Sequence, residues 1–254
     1  MSKITLKSVS WQTIIRLTTI LLGLIILSNC AYHHSRWEPS TEVVKEPMMG
    51  FILEPDVEVT LNAIPGEVFI EGIEGKNAEA FMEVKCPRLS GPCADHFRDL
   101  EFDIIMSGKR VTIGANKGTL FRGNSAVKTT VALPRIDYLK VKTIAGDVDI
   151  SQAHVNRLEV DMKAGDLDIN VEKLEDLNVD LEAGDVDITI PEASVAEVDL
   201  DAGVGDVSIN RHGRHEDAPR SFLVGAETQR EISREGAIIH VDVQFGEIDL
   251  NLIP

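Results

Sequence analysis

Carboxylates recur along this chain at fixed distances from glycines. Asp147 and Asp149 follow Gly146, Asp166 and Asp168 follow Gly165, and Asp185 and Asp187 follow Gly184. Asp206 follows Gly205, and Glu247 and Asp249 follow Gly246. Residues two apart on a strand share one face, so each pair could act together. Two chemistries use such pairs. Carboxylate oxygens are hard ligands suited to Ca²⁺, and two positioned carboxyls form the acid–base apparatus of polysaccharide-cleaving enzymes. The second reading predicts a local pair in a sugar site lined by aromatic rings. Here the pairs recur in copy after copy, Trp11 and Trp37 precede the repeats, and Tyr138 is the one tyrosine among residues 50–254. The glycine-rich nonapeptide of calcium β-rolls is absent. The columns therefore read first as a solvated face that keeps a sheet protein soluble, with Ca²⁺ as the one candidate ligand and no cofactor expected. A further set, Asp161, Asp180, Asp201 and Asp242, lies at an equivalent earlier position, with Lys142 at its head.

Other reactive residues are few. Cys86 and Cys93 flank a Pro- and Gly-containing loop, CPRLSGPC, that can bring two sulfurs together; the spacing is too long for a CxxC redox pair. His212 and His215 stand beside Glu216 and Asp217 in RHGRHED, and His33 and His34 lie near the N-terminus. Each pair reads more simply as solvated loop residues than as a metal site. No phosphate loop, dinucleotide glycine fingerprint or nucleophile elbow is present.

The elements that carry these residues follow from the repeat. LKVKTIAGDVDI, LEVDMKAGDLDI and LNVDLEAGDVDI begin at Leu139, Leu158 and Leu177. VDLDAGVGDVSI and IHVDVQFGEIDL follow, and VTLNAIPGEVFI is an early relative. The glycines step by 19, 19, 21 and 41 residues. Before each glycine the apolar residues alternate, as in Leu158, Val160, Met162 and Ala164; after it they change parity, as in Leu167 and Ile169. One straight strand cannot do this, but a corner at glycine can. Gly146, Gly165, Gly184, Gly205 and Gly246 are thus expected to be coil corners, joining two strands per repeat. Self-similarity at this period signals a solenoid, and residues 50–254 would make about ten coils, within a range of about eight to eleven. Segments such as AFMEVKC, LEFDIIM, KRVTI and KTTVAL read as strands in a weaker part of the pattern, and Arg211–Gly236 interrupts it.

The recurring A-G-D-[VL]-D-[IL] phrase resembles the putative adhesin family of bacterial envelope β-solenoids. That resemblance implies an all-β, single-domain, parallel β-helix-like fold in the cell envelope, and it supplies no catalytic residue. The N-terminus agrees. Residues 1–29 carry Lys3, Lys7 and Arg16, no acid, and the apolar run Leu17–Leu27, the pattern of a signal peptide. Leu27-Ser28-Asn29-Cys30 resembles a bacterial lipoprotein box, with Asn29 where Gly, Ala or Ser is usual. It implies a signal peptide over 1–29, a lipidated Cys30, a tether over 30–49 and the solenoid over 50–254. Net charge is −17, and −20 without residues 1–29, which argues against nucleic acid as a partner. Ala31 in place of Asp points to the outer membrane of a diderm cell. The expected function is a non-enzymatic lipoprotein, acylated on Cys30 (traceable with palmitate), that sits on the extracytoplasmic side of the membrane. It would serve adhesion or scaffolding with other envelope components. An accessory to an envelope-stress sensor is the alternative, and a polysaccharide-active enzyme a third reading.

Overall fold

In the computed structural model, residues 41–45, 48–87, 91–116, 125–211, 214–218 and 225–254 are described. Cys30, His33, His34, His212 and the Phe222–Val224 run lie outside them. Glu42–Pro254 forms one compact unit. Its elements in chain order are β1 (Thr41–Lys45), β2 (Met48–Ile52), β3 (Glu58–Asn62), β4 (Glu67–Gly72), β5 (Asn77–Pro87), α1 (Gly91–Phe97), β6 (Phe102–Ser107), β7 (Arg110–Ala115) and β8 (Ala126–Leu133). Then come β9 (Ile136–Thr143), β10 (Val148–Ser151), β11 (Val155–Met162), β12 (Leu167–Asn170), β13 (Asp176–Ala183), β14 (Val186–Pro191), β15 (Val195–Ala202) and β16 (Val207–Arg211). The last four are β17 (Arg214–Asp217), β18 (Ala226–Glu231), β19 (Ala237–Phe245) and β20 (Ile248–Ile253). The fold is all-β: two facing sheets enclose one core.

Each coil contributes one strand to each sheet. The coils are β3/β4, β7/β8, β9/β10, β11/β12, β13/β14, β15/β16 and β19/β20. Among the described residues seven coils replace the expected ten: KRVTI and KTTVAL complete a coil as β7/β8, but AFMEVKC and LEFDIIM, as β5 and β6, fold back antiparallel. Strands β5 and β6 run antiparallel to β8 and β7 and close one end of the stack. Strands β17 and β18 run antiparallel to β16 and β15 and close the other. Within Arg211–Gly236, β17 and β18 thus cap that end. Nor does the stack follow chain order. One sheet runs β8-β4-β10-β12-β14-β20-β16, so the last coil sits between two earlier ones. The boundary drawn at residue 50 falls inside β2: Thr41–Lys45 and Met48–Ile52, read partly as tether, belong to the sheet that contains β5.

Parallel pairing in register stacks like on like. Val59, Leu139, Leu158, Leu177, Ile239 and Val198 form one inward column. None of them is more than 2% exposed. At about 25 cal/mol per Å² of apolar surface, such columns are the main favourable term, and no single coil could bury its own. The alternation fades toward the corner: Ala145, Ala164 and Ala183 are half-buried, and Phe245 is 42% exposed where it was expected inside. Helix α1 packs on β5 and buries Cys93 and Phe97. Among the described residues, no helix is long and apolar enough to cross a membrane.

Candidate functional site

The corner glycines form a column of their own. Gly66, Gly146, Gly165, Gly184, Gly246 and Gly205 all have positive φ, from 119° to 155°. Their backbones nearly touch. A Cβ on Gly165 would lie 2.7 Å from the carbonyl carbon of Gly146 and would overlap its oxygen. The repeat of glycine therefore has a second cause that a positive φ alone does not supply: there is no room between coils for a methyl group.

The acid after each glycine completes this corner. The Asp166 N–H donates to Asp147 Oδ1 (3.4 Å), Asp185 N–H to Asp166 Oδ1 (3.3 Å), and Glu247 N–H to Asp185 Oδ1 (2.9 Å). Backbone N–H groups near the surface still need partners, and each carboxylate supplies one to the coil stacked on it. Asp147, Asp166 and Asp185 thus clamp the corner, and Glu247 and Asp206 continue the column, with Glu247 ahead of Asp206 because of the inserted coil.

The second column differs. Phe69, Asp149, Asp168, Asp187, Asp249 and Ser208 are successive register partners. Asn251 Nδ2 donates to Asp187 Oδ1 at 2.8 Å, and Ser208 Oγ donates to Asp249. Asp149 and Asp168 have no hydrogen-bond partner among the described residues. Partial burial, then the charges of Asp187 and Asp149, push the Asp168 carboxyl above its ordinary pKa. Between the two columns runs an open groove of about 430 Å³, with Phe69 at one end. Lys128 lies over the Phe69 ring, 4.2 Å from its centre.

The opposite sheet carries its charge differently. Lys142 faces Asp161 at 3.8 Å, Lys163 faces Glu182 at 2.6 Å, and Arg157 faces Asp137 at 2.8 Å. His240 Nδ1 is 3.3 Å from Asp199. Glu159 accepts from both Lys140 and Tyr138. Burial works against the Glu159 charge, but these two donors outweigh it and hold the carboxyl below its usual range. Burial and the same hydrogen bond push Tyr138 up to about 12. Exposed pairs of this kind add little stability each, and they balance charge chiefly on β9 and β11, where Lys140, Lys142 and Arg157 lie. On β10, β12, β14 and β20 no Lys or Arg is present at all. The opposite sheet stacks Asp161, Asp180, Asp242 and Asp201 in register, so it is acidic too; what sets β10, β12, β14 and β20 apart is a run of carboxylates with no cation on the same strands.

As to the other sequence candidates, Cys86 and Cys93 form a disulfide with Cα atoms 5.9 Å apart. His215 pairs with Asp217 at 2.8 Å and Glu216 with Arg230, so Arg214–Asp217 serves the end cap. Among the described residues, no three His, Cys, Asp or Glu side chains converge to hold a metal ion. One row escaped the sequence reading: Ser151, Asn170, Thr189, Asn251 and Asn210 line up beside the second acid column. Its signal was present, since the residue after each D-[VL]-D-I-type phrase is always a hydroxyl or an amide.

Residues 103–235, just over half of the chain, match the model of the Toastrack DUF4097 family. The chain belongs to the Toastrack DUF4097 family. A structure described as a putative cell adhesion protein from Clostridium sporogenes ATCC 15579 shares 19% identity over 82% of this chain and 100% of that one, with a TM-score of 0.52. A putative adhesin from Bacteroides fragilis NCTC 9343 is 12% identical over 82% of this chain and 97% of its own, with a TM-score of 0.34. The first likeness shows that this Toastrack chain shares its fold with that protein. No curated protein matches the chain.

Proposed function

We propose that this Toastrack protein is a non-enzymatic component of the bacterial cell envelope. It is exported, anchored by lipid on Cys30, and presents the carboxylate face of β10, β12, β14 and β20 to an extended envelope partner. The observation that carries this reading is the column Asp149–Asp168–Asp187–Asp249 beside the Ser151–Asn170–Thr189–Asn251 row. A catalytic pair needs two groups whose surroundings push their pKa values apart within one local pocket. Here equivalent carboxylates repeat from coil to coil along an open groove, and Asp168 is perturbed only by partial burial and by its like-charged register neighbours Asp187 and Asp149. Repetition suits a partner that itself repeats. The adhesion named for the Clostridium sporogenes relative agrees with such a role, and the Cys86–Cys93 disulfide agrees with an oxidising compartment.

Crosslinking and pull-down from intact envelopes tests it. The wild-type protein should enrich a partner over an unrelated lipid-anchored control, and Asp149→Asn/Asp168→Asn/Asp187→Asn should lose it. No enrichment over the control, or equal enrichment by the triple variant, overturns the assignment of the acidic face. Metabolic labelling with palmitate, with Cys30→Ala as control, tests the anchor; equal labelling of both proteins overturns it.

A further inference from the structure

The two ends of the solenoid are built from different residues. At the far end the edge strands are charged: β17 reads RHED and β18 reads AETQRE. Charged edges resist pairing with other strands. At the near end the edges carry large apolar side chains. Val43 is 45% exposed, Met48 67% and Ile52 66%, and on β6 Ile105 and Met106 are 57% and 54% exposed. All belong to one cap, since β2 lies on β5, β5 on β8, and β6 on β7, the partner of β8 in the same coil. A soluble protein does not ordinarily leave such an edge bare.

Two further facts say what covers it. Charge is divided along the chain. Residues 41–135 hold 11 Lys and Arg against 14 Asp and Glu, a net of −3, whereas residues 136–254 hold 10 against 27, a net of −17. The near-neutral part contains the apolar cap, and the strongly acidic part is the one an anionic leaflet repels. The chain outside the unit also ends close by. Thr41 follows Cys30 by 11 residues, which span at most about 38 Å when fully extended.

We propose that this cap is a lipid-docking face. Val43, Met48, Ile52, Ile105 and Met106 rest in the interface of the bilayer that holds the Cys30 lipid, and the acidic coils stand away from it. This rests on the lipid-anchor reading above. A second copy is the weaker occupant: the tether holds every cap near the bilayer at high effective concentration, whereas another copy must arrive by lateral encounter.

The test uses the full-length lipidated protein reconstituted into phosphatidylethanolamine–phosphatidylglycerol vesicles. Ile52→Cys, Ile105→Cys and, at the far end, Glu216→Cys each carry one environment-sensitive fluorophore; Cys86 and Cys93 are joined and do not react. Lipids with a nitroxide near the headgroup should quench the labels at 52 and 105 at least about threefold more than the label at 216, because interfacial residues sit within about 5–10 Å of that depth. Equal quenching at the three sites, in protein that carries palmitate on Cys30, overturns the docking face and leaves the anchor standing. Protein without palmitate on Cys30 overturns the anchor reading and the docking face with it. A blue shift at 52 and 105 that grows with protein density and escapes nitroxide quenching identifies a second copy as the occupant and likewise overturns the proposal.

Discussion

Gly165→Ala separates the two reasons for a glycine at each corner. With φ at 120°, an alanine there bears a backbone cost of roughly 1–2 kcal/mol, partly offset by about 0.5 kcal/mol of lost freedom in the unfolded chain. Its Cβ would also lie 2.7 Å from the Gly146 carbonyl carbon, about 1 Å inside an ordinary carbon–carbon contact. The coil spacing must open locally, and such overpacking costs about 1–3 kcal/mol. The total is about 3 kcal/mol, or about 9 °C in Tm for a domain of this size. Gly75→Ala is the control: φ is 102°, yet nothing lies within 4 Å of its Cβ. It should lose only about 1 kcal/mol, or about 3 °C. Urea denaturation followed by far-UV circular dichroism compares the two variants with wild type, since the described unit is nearly all β-sheet. Equal losses in the two variants would refute the close-packed glycine column and leave φ as the sole reason for the repeat.

Three other outcomes follow from the charges and the disulfide. Like charges one strand apart repel by about 0.9 kcal/mol in water, roughly halved by physiological salt. Asp168→Asn, relieved of Asp149 and Asp187, should therefore gain about 1 kcal/mol. The gain should fade in high NaCl and as pH drops below the raised Asp168 pKa, where the wild-type carboxyl is itself protonated; CaCl₂ at matched ionic strength should shift the wild-type midpoint no more than NaCl does. Glu159, held below its ordinary value near 4.5, contributes stability that is complete above that value and is lost as pH falls through the folded pKa. Urea midpoints of Glu159→Gln and wild type should accordingly differ at pH 7 and converge in acid. Cys86→Ser should lower stability by about 2.5 kcal/mol in the chain-entropy account of a short loop, measured against wild type with and without reductant.

Much of one coil is legible in the chain. The parity change around Gly165 places Leu158, Val160, Leu167 and Ile169 inside and Asp166 and Asp168 outside, because alternation and corner are set by residues a few positions apart. The disulfide was readable from the spacing of Cys86 and Cys93 and from the Pro- and Gly-containing loop between them. The clamp made by Asp147, Asp166 and Asp185 was not, since it joins residues of different coils and looks in sequence like a ligand motif. Nor was the exposure of Phe245, which depends on where the strand meets the corner.

The order of the coils is the sharpest divide. Successive phrases carry nearly the same apolar residues, so many stacking orders would bury the same columns, and local pattern has no means of choosing among them. The 41-residue step from Gly205 to Gly246 is about twice the others, and Arg211–Gly236, which interrupts the phrase, could be one degenerate coil or an insertion by its sequence. Instead, β17 and β18 fold back over β16 and β15, and the returning chain places β19/β20 between β13/β14 and β15/β16. The phrase A-G-D-x-D by itself determined how a coil is built. Long-range packing decided which coil lies beside which and which strands close the ends. With those choices it decided that β10, β12, β14 and β20 lie side by side with no Lys or Arg among them, that ion pairs stitch part of the other sheet, and that the near end is left apolar.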